Sequence, residues 1–155
     1  MDRLNKYGKT VFIELATATL IFLFVYTASS KFLHLPAFKS FFTKQYLFKP
    51  HAATLAIAIP LIEMAVAALL FFPASRQAGI FSAAVLMTIF TLYIAVMLAF
   101  ASALPCSCGG VIQTLSWKWH LALNVSITVV SWLAFAWCAP PKNFIAINRS
   151  SRKPV

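Results

Sequence analysis

Charged residues are scarce in this sequence. Only 10% of its 155 residues are charged, whereas 61% are hydrophobic, and the mean hydropathy is +0.85. These values lie far outside the range of water-soluble domains. The composition therefore excludes that class and indicates a protein of the lipid bilayer.

The side chains that usually carry chemistry are few as well. The chain has three carboxylates, Asp2, Glu14 and Glu63, together with three histidines and three cysteines. With so few acids and bases, a pair of cysteines is the leading candidate for any redox or ligand chemistry. Two of the three, Cys106 and Cys108, are separated by a single residue.

Four long apolar runs predict four transmembrane helices. A helix needs about 20 apolar residues to cross about 30 Å of hydrocarbon, and the runs of this length cover residues 10–29, 52–72, 78–104 and 118–138. The first run is too long for the apolar core of a signal peptide, so we expect it to remain as a helix. We predict one all-α membrane domain over residues 1–155, a four-helix bundle with a basic C-terminal tail at 140–155.

The net charge of +10 is interpreted as an orientation signal, because basic residues flank membrane spans and contact lipid headgroups. We therefore expect the lipid bilayer as a partner and no nucleic acid. One side of the predicted bundle carries Arg3, Lys6, Lys9, Arg76, Lys142, Arg149, Arg152 and Lys153, and the other carries Lys31, Lys39, Lys44, Lys49 and Lys118. The first side has eight basic residues and the second five. Because basic residues favour the cytoplasmic side, this difference predicts both termini in the cytoplasm of a bacterial inner membrane and the turn after the third helix outside.

The basic segment 31–49 lies between the first and second predicted helices. Its lysines alternate with aromatic and apolar residues, among them Phe38, Phe41 and Phe42. This pattern is typical of an amphipathic segment that lies on the membrane surface. We predict an interfacial segment at this position.

The turn after the third helix carries the most informative motif. Residues 101–110 read Ala-Ser-Ala-Leu-Pro-Cys-Ser-Cys-Gly-Gly, in which Pro105 ends the helix and the glycines permit positive φ. Outside the membrane, Cys106 and Cys108 would lie in an oxidising compartment. A disulfide between such near neighbours tends to be strained and readily exchanged. The motif favours thiol–disulfide exchange.

Two alternatives stay open for this cysteine pair. It could fix a tight turn in a non-enzymatic membrane subunit that scaffolds a redox complex, or capture a soft metal with His120 as an additional ligand. Cys138 lies about 30 Å away, at the far end of the fourth helix. A disulfide requires Cα atoms within about 7 Å, so Cys138 is predicted to be a free thiol.

Polar residues within the spans form a second candidate site. Glu63 lies near the middle of the second predicted helix, where an unpaired carboxylate is costly, and Lys31 can reach it if the first helix continues to about residue 33. A structural salt bridge is the alternative to a functional pair.

On the fourth predicted helix, one face carries His120, Asn124, Thr128 and Ser131. His120 is a candidate for stabilising a thiolate or carrying protons. For the other three, hydrogen bonding between helices explains the pattern at least as well.

These residues together resemble the MauE/DoxX group of membrane proteins, and the MauE branch in particular. The resemblance covers about residues 10–138 and is strongest in Ser30-Lys31, in Ile59-Pro60-Leu61-Ile62-Glu63 and in the Cys-Ser-Cys-Gly turn. It implies a four-helix inner-membrane protein linked to redox processes. Exchange with a periplasmic thioredoxin-like or disulfide-bearing protein, in support of that protein's maturation, is the function it implies.

The same resemblance implies a cofactor and a set of site residues. Similarity of the group to the DsbB and vitamin K epoxide reductase bundles implies a quinone, with His120 and Asn124 as candidate binding residues near Glu63. The sequence reads Cys-Gly-Gly where the family commonly shows Cys-Phe-Gly, and it lacks the second external cysteine pair of DsbB-type relays. We therefore expect one component of an exchange system, with catalytic candidates Cys106, Cys108, His120, Glu63 and Lys31.

Overall fold

The computed structural model describes residues 2–45, 48–100 and 117–138, and within these ranges the chain is helical with no strand. The α-helices are α1 (Asp2–Leu33), α2 (Leu35–Thr43), α3 (Ala52–Phe71), α4 (Arg76–Phe100) and α5 (Trp117–Trp137), and a short 3₁₀ helix (Lys49–His51) precedes α3. The predicted all-α fold class is confirmed.

Four of these helices are long and apolar enough to cross a membrane. The candidate spans are Tyr7–Leu33, Lys49–Phe71, Arg76–Ala99 and Lys118–Trp137, one each in α1, α3, α4 and α5. Large apolar side chains on all four helices point away from the core, among them Phe22, Leu61, Leu92 and Val129. Helices that are apolar on every face are suited to lipid. The protein is an integral membrane helical bundle.

The first helix is longer than its apolar run predicts. It begins at Asp2 and continues to Leu33, where the predicted span covers residues 10–29. His34 leaves helical geometry just before Pro36, whose ring fits the first turn of a new helix. The His34 amide still donates to the Ser30 carbonyl oxygen at 3.1 Å, and the Phe38 amide donates to that of His34 at 3.0 Å. Helix α2 therefore follows α1 after a bend and not after a loop.

Helix α2 packs onto the bundle through its aromatic face. Phe38, Phe41 and Phe42 are buried and cluster with Ala52 and Ala56 at the start of α3. The Phe41 ring also contacts the Tyr93 ring of α4, with centroids 6.4 Å apart, and Gln45 Nε2 donates to the Tyr93 hydroxyl at 2.5 Å. The apolar side of the predicted interfacial segment thus covers α3 and α4.

The main core cluster takes three buried residues each from α1, α3 and α4 and one from α5. Leu20 and Phe24 of α1 are almost fully buried in one cluster with Val66, Ala67 and Leu70 of α3. The cluster also holds Ala16 of α1, and small residues let helices approach closely where lipid offers no hydrophobic gain. These contacts hold α1 against α3.

Helices α4 and α5 form an antiparallel pair. The Phe81 and Phe135 rings lie 5.2 Å apart near one end, and the Thr91 and Thr128 hydroxyl oxygens lie 2.9 Å apart nearer the other. Because the pairing runs in opposite directions along the two helices, the end of α4 lies beside the start of α5. Trp132 adds a bond from its Nε1 to Thr88 Oγ1 at 3.1 Å.

Candidate functional site

A buried ion pair joins α1 to α3. The Lys31 ammonium contacts Oε1 of Glu63, and the Glu63 side chain is only 1% exposed, against 17% for Lys31. The contact predicted from the sequence is present because α1 continues to Leu33. Side chains on a helix lean toward its N-terminus, so a lysine and a glutamate on antiparallel helices lean toward each other.

Two aromatic rings cover the Lys31 ammonium. Nζ lies 5.8 Å from the centroid of the Phe38 ring on α2 and 5.6 Å from that of the Phe90 ring on α4. Ring faces attract a cation electrostatically, and more strongly where water is excluded. Sequence reasoning missed both residues, because a chain with 15 phenylalanines has no local signal that marks the two beside a charge.

The Glu63 carboxyl is only partly satisfied. Its Oε2 is buried and has no hydrogen-bond partner in the part of the chain that the structure describes. Thr27, one turn before Lys31 on α1, also faces the carboxyl, and its hydroxyl lies 3.3 Å from the Phe24 carbonyl oxygen. Thr27 is a further residue of the site that the sequence did not reveal. An unpaired carboxylate oxygen in apolar surroundings is costly, so Oε2 is poised to accept a proton or a hydrogen bond.

His120 lies at the same end of the bundle. It occupies the first turn of α5, is partly buried, and is near enough to Lys31 for the ammonium charge to act on the imidazole. Three of the five catalytic candidates, Lys31, Glu63 and His120, are thus brought together from α1, α3 and α5. We call this group of three residues the polar cluster.

The rest of the polar stripe on α5 is bonded largely within its own helix. Asn124 is buried, and its Nδ2 donates to the His120 carbonyl oxygen at 3.0 Å. The Thr128 hydroxyl donates to the Asn124 carbonyl oxygen at 2.8 Å, and Ser131 donates to that of Ile127 at 2.7 Å. Thr128 also meets Thr91 of α4, in agreement with hydrogen bonding between helices. The quinone-binding role of Asn124 stays a prediction.

Cys106 and Cys108 lie in residues 101–116, outside the described residues. The two described ends of this connection are Phe100 at the end of α4 and Trp117 at the start of α5, one helical turn before His120. The connection that carries both cysteines therefore leaves and re-enters the bundle at the end where His120 lies. Cys138, near the opposite end of α5, is a free thiol as predicted.

A second ion pair lies at the other end of α1. Arg76 Nη1 of α4 is 2.5 Å from Oε1 of Glu14, and their side chains are 27% and 55% exposed. Nearby, the Lys9 ammonium lies 5.9 Å from the centroid of the Trp137 ring of α5. This end of the bundle also combines an ion pair with a cation over an aromatic ring, but its ion pair is more exposed than Lys31–Glu63.

Among the described residues, no group of three or more histidines, cysteines, aspartates or glutamates is placed to hold a metal ion. Fold and site together define a four-span helical membrane protein with a buried ion pair at the end that carries a Cys-Ser-Cys connection. A family model described as methylamine utilisation protein MauE matches residues 9–138, most of the chain, and the protein belongs to this family. Comparisons with curated proteins and with solved structures gave no match.

Proposed function

We propose that this protein is a membrane component of thiol–disulfide exchange, with Cys106 and Cys108 as the exchanging pair. One observation carries the proposal: the connection that bears both cysteines joins α5 one helical turn before His120, which lies beside the Lys31 charge. A nearby positive charge favours a thiolate over a thiol, and only the thiolate is nucleophilic. The imidazole can carry the released proton.

The proposed exchange conserves atoms and electrons. One cysteine of the pair loses its proton to His120, and the thiolate attacks a disulfide of the partner protein. The partner's S–S bond breaks, a mixed disulfide forms, and the departing sulfur takes up a proton. The second cysteine then attacks the mixed disulfide, which releases the partner as a dithiol and leaves Cys106 and Cys108 joined. The reverse sequence oxidises the partner.

The partner of this reaction is a periplasmic thioredoxin-like or disulfide-bearing protein, and the cysteines face the periplasm from a bacterial inner membrane. The distribution of basic residues supports this orientation. Membrane-impermeant maleimide, applied to reduced spheroplasts, is expected to label Cys106 or Cys108 and to spare Cys138. Labelling of Cys138 alone would reverse the orientation.

When the pair oxidises its partner it is left reduced, and for its reoxidation we propose a quinone, which supplies a two-electron, two-proton acceptor when bound. His120 and Asn124 would hold it. The buried Asn124 amide gives one hydrogen to the His120 carbonyl oxygen and retains a second, which suits a quinone carbonyl oxygen. Asn124→Leu is expected to slow the return of Cys106 and Cys108 to the oxidised state, measured by thiol alkylation after a reducing pulse. An unchanged rate would remove Asn124 from this role.

Trapping of the mixed disulfide tests the exchange reaction directly. Replacing one cysteine of a working pair removes the thiol that resolves the intermediate. Cys106→Ser and Cys108→Ser should therefore differ, one accumulating a reducible higher-mass adduct and the other being inactive without one. Cys138→Ser is the control and should resemble the wild type. Absence of an adduct from both variants, on non-reducing gels of acid-quenched cells, would contradict the proposal.

A scaffold without enzymatic activity is the second candidate, because the Lys31–Glu63 pair holds α1 against α3 whether or not chemistry occurs. Glu63→Gln keeps the shape of the side chain and removes its charge. The change is combined with the cysteine variant that traps the adduct. Normal accumulation of the protein with loss of the adduct would support the exchange function. Loss of the protein itself would support the structural role.

A further inference from the structure

We infer that Oε2 of Glu63 is a proton-binding site inside the bundle and that Lys31 is the counter-ion that keeps the carboxylate ionised until a proton arrives. This site goes beyond the proposed exchange reaction. It requires no cysteine, and it should persist in a protein whose thiols are blocked.

The geometry of the carboxyl singles out one atom. Glu63 lies near the middle of α3, about 17 Å from its Ala52 end, where α2 packs, and about 12 Å from its Phe71 end. Its Oε1 is occupied by the Lys31 ammonium, whereas Oε2 is buried without a partner among the described residues. A new O–H bond at Oε2 neutralises the carboxylate without displacing Lys31, and a proton requires no additional space.

In the described part of the chain, the charged side chain that contacts Glu63 is Lys31. From α1 the carboxyl is faced by Lys31 and by the neutral hydroxyl of Thr27. The described contacts from α2 and α4 at this place are the Phe38 and Phe90 rings, and α5 brings His120 near Lys31. The ionisable side chains of α2 and its bend, His34 and Lys39, are exposed. Burial favours a neutral carboxyl and Lys31 favours an ionised one, so two opposing effects set the protonation state.

The Lys31 side chain is 17% exposed and the Glu63 side chain 1%, so the Lys31 side of the pair is the more open one. We place the entry of protons to Oε2 on that side. His120 lies at this end of the bundle, near enough to Lys31 for the ammonium charge to act on the imidazole. No electron moves in this step: a proton leaves the aqueous phase and ends on Oε2.

The scarcity of acids makes the site directly measurable. The chain contains two glutamates, Glu14 and Glu63, so ¹³C labelling of glutamate marks only these two side-chain carboxyls. The labelled full-length protein, in phosphatidylcholine vesicles with its cysteines alkylated, is titrated by infrared spectroscopy. Acidification should produce an isotope-shifted C=O band at the high frequency of a carboxylic acid in apolar surroundings. Glu14→Gln should retain this band, which then belongs to Glu63 without any change at Glu63 itself.

The counter-ion role of Lys31 is tested in the same way. Lys31→Gln removes the charge that favours the carboxylate, and its band should be larger than that of the wild type at every pH in the titration. Loss of the band in Glu14→Gln, or no band in the wild type over the pH range in which it stays folded, would overturn the proton site. An equal band in Lys31→Gln and wild type would overturn the counter-ion role. Adduct trapping in Cys106→Ser and Cys108→Ser, which leaves Lys31 and Glu63 unchanged, tests the exchange reaction separately.

Discussion

The two ion pairs of this protein have the same chemistry and opposite surroundings. Lys31–Glu63 joins α1 to α3 with its carboxylate almost fully buried, whereas Glu14–Arg76 joins α1 to α4 with a carboxylate that is mostly exposed. Two aromatic rings cover the Lys31 ammonium at one end of α1, whereas the Glu14 side chain near the other end is 55% exposed. Helix α1 therefore carries one half of each pair.

The contribution of an ion pair to stability therefore depends on its surroundings. An exposed pair contributes about 0–1 kcal/mol, because water solvates each charge almost as well as the partner does. Removing one partner of a buried pair leaves an uncompensated charge, which costs about 3–5 kcal/mol in proteins. The buried carboxylate therefore depends more strongly on its partner than the exposed one does.

The largest effect is expected from Lys31→Met, which leaves Glu63 buried and unpaired. We expect a loss of about 3 kcal/mol or more in the free energy of unfolding, seen as a lower midpoint temperature of the detergent-solubilised protein. Arg76→Met, the matched change in the exposed pair, should lower it much less. Adding Glu63→Gln to Lys31→Met should recover part of the loss, and equal effects of the two single changes would erase the contrast.

Gly79→Ala tests whether close packing of α3 against α4 stabilises the end of the bundle that carries Arg76. A Cβ at Gly79 would lie 2.7 Å from the Leu70 backbone nitrogen and 2.8 Å from the Leu69 carbonyl carbon, so α3 and α4 would have to separate. We expect a loss of about 1–3 kcal/mol, the usual cost of overpacking. Gly8→Ala is the control, because nothing lies within 4 Å of its added Cβ. A midpoint temperature for Gly79→Ala equal to that of Gly8→Ala would refute the close-approach argument.

Phe90→Leu measures how much the aromatic ring contributes beside the buried Lys31 ammonium. The substitution keeps an apolar side chain beside Lys31 but removes the ring face that lies 5.6 Å from Nζ. A loss of about 1 kcal/mol is expected in addition to any packing change, since a cation–π contact is stronger where water is excluded. Phe90→Leu should also be made in a Lys31→Gln background, where the loss in the free energy of unfolding should be smaller. An equal loss in the two backgrounds would mean that the ring acts through packing alone.

Glu14→Gln should have the smallest effect. Its carboxylate is exposed, so we expect a change of at most about 1 kcal/mol in the free energy of unfolding, and less at high salt. Thermal unfolding at two salt concentrations measures this. A loss as large as that of Lys31→Met would show that the Arg76 end is less accessible to water than its exposure indicates.

Much of the fold could be predicted from the sequence because lipid imposes strong composition rules. Apolar runs of span length located α3 and α5 to within one or two residues, and the number of spans agrees with the structure. The start of α1 at Asp2 was missed because polar residues there carry no hydropathy signal, although they continue the helix. The packing of α2 onto α3 and α4 was missed because an amphipathic pattern does not show whether its apolar face meets lipid or protein.

The sequence by itself determined that Glu63 needs a partner, because a carboxylate among apolar residues in a membrane span is costly. Lys31 was the candidate because its long side chain can reach inward from the end of the first helix. The tertiary structure alone decided that Phe38, Phe90 and Thr27 surround this pair and that His120 lies beside Lys31. Spacing along one helix shows which residues share a face, but not which face of another helix it meets. That depends on how five helices pack at once, and it left one oxygen of Glu63 without a partner among the described residues.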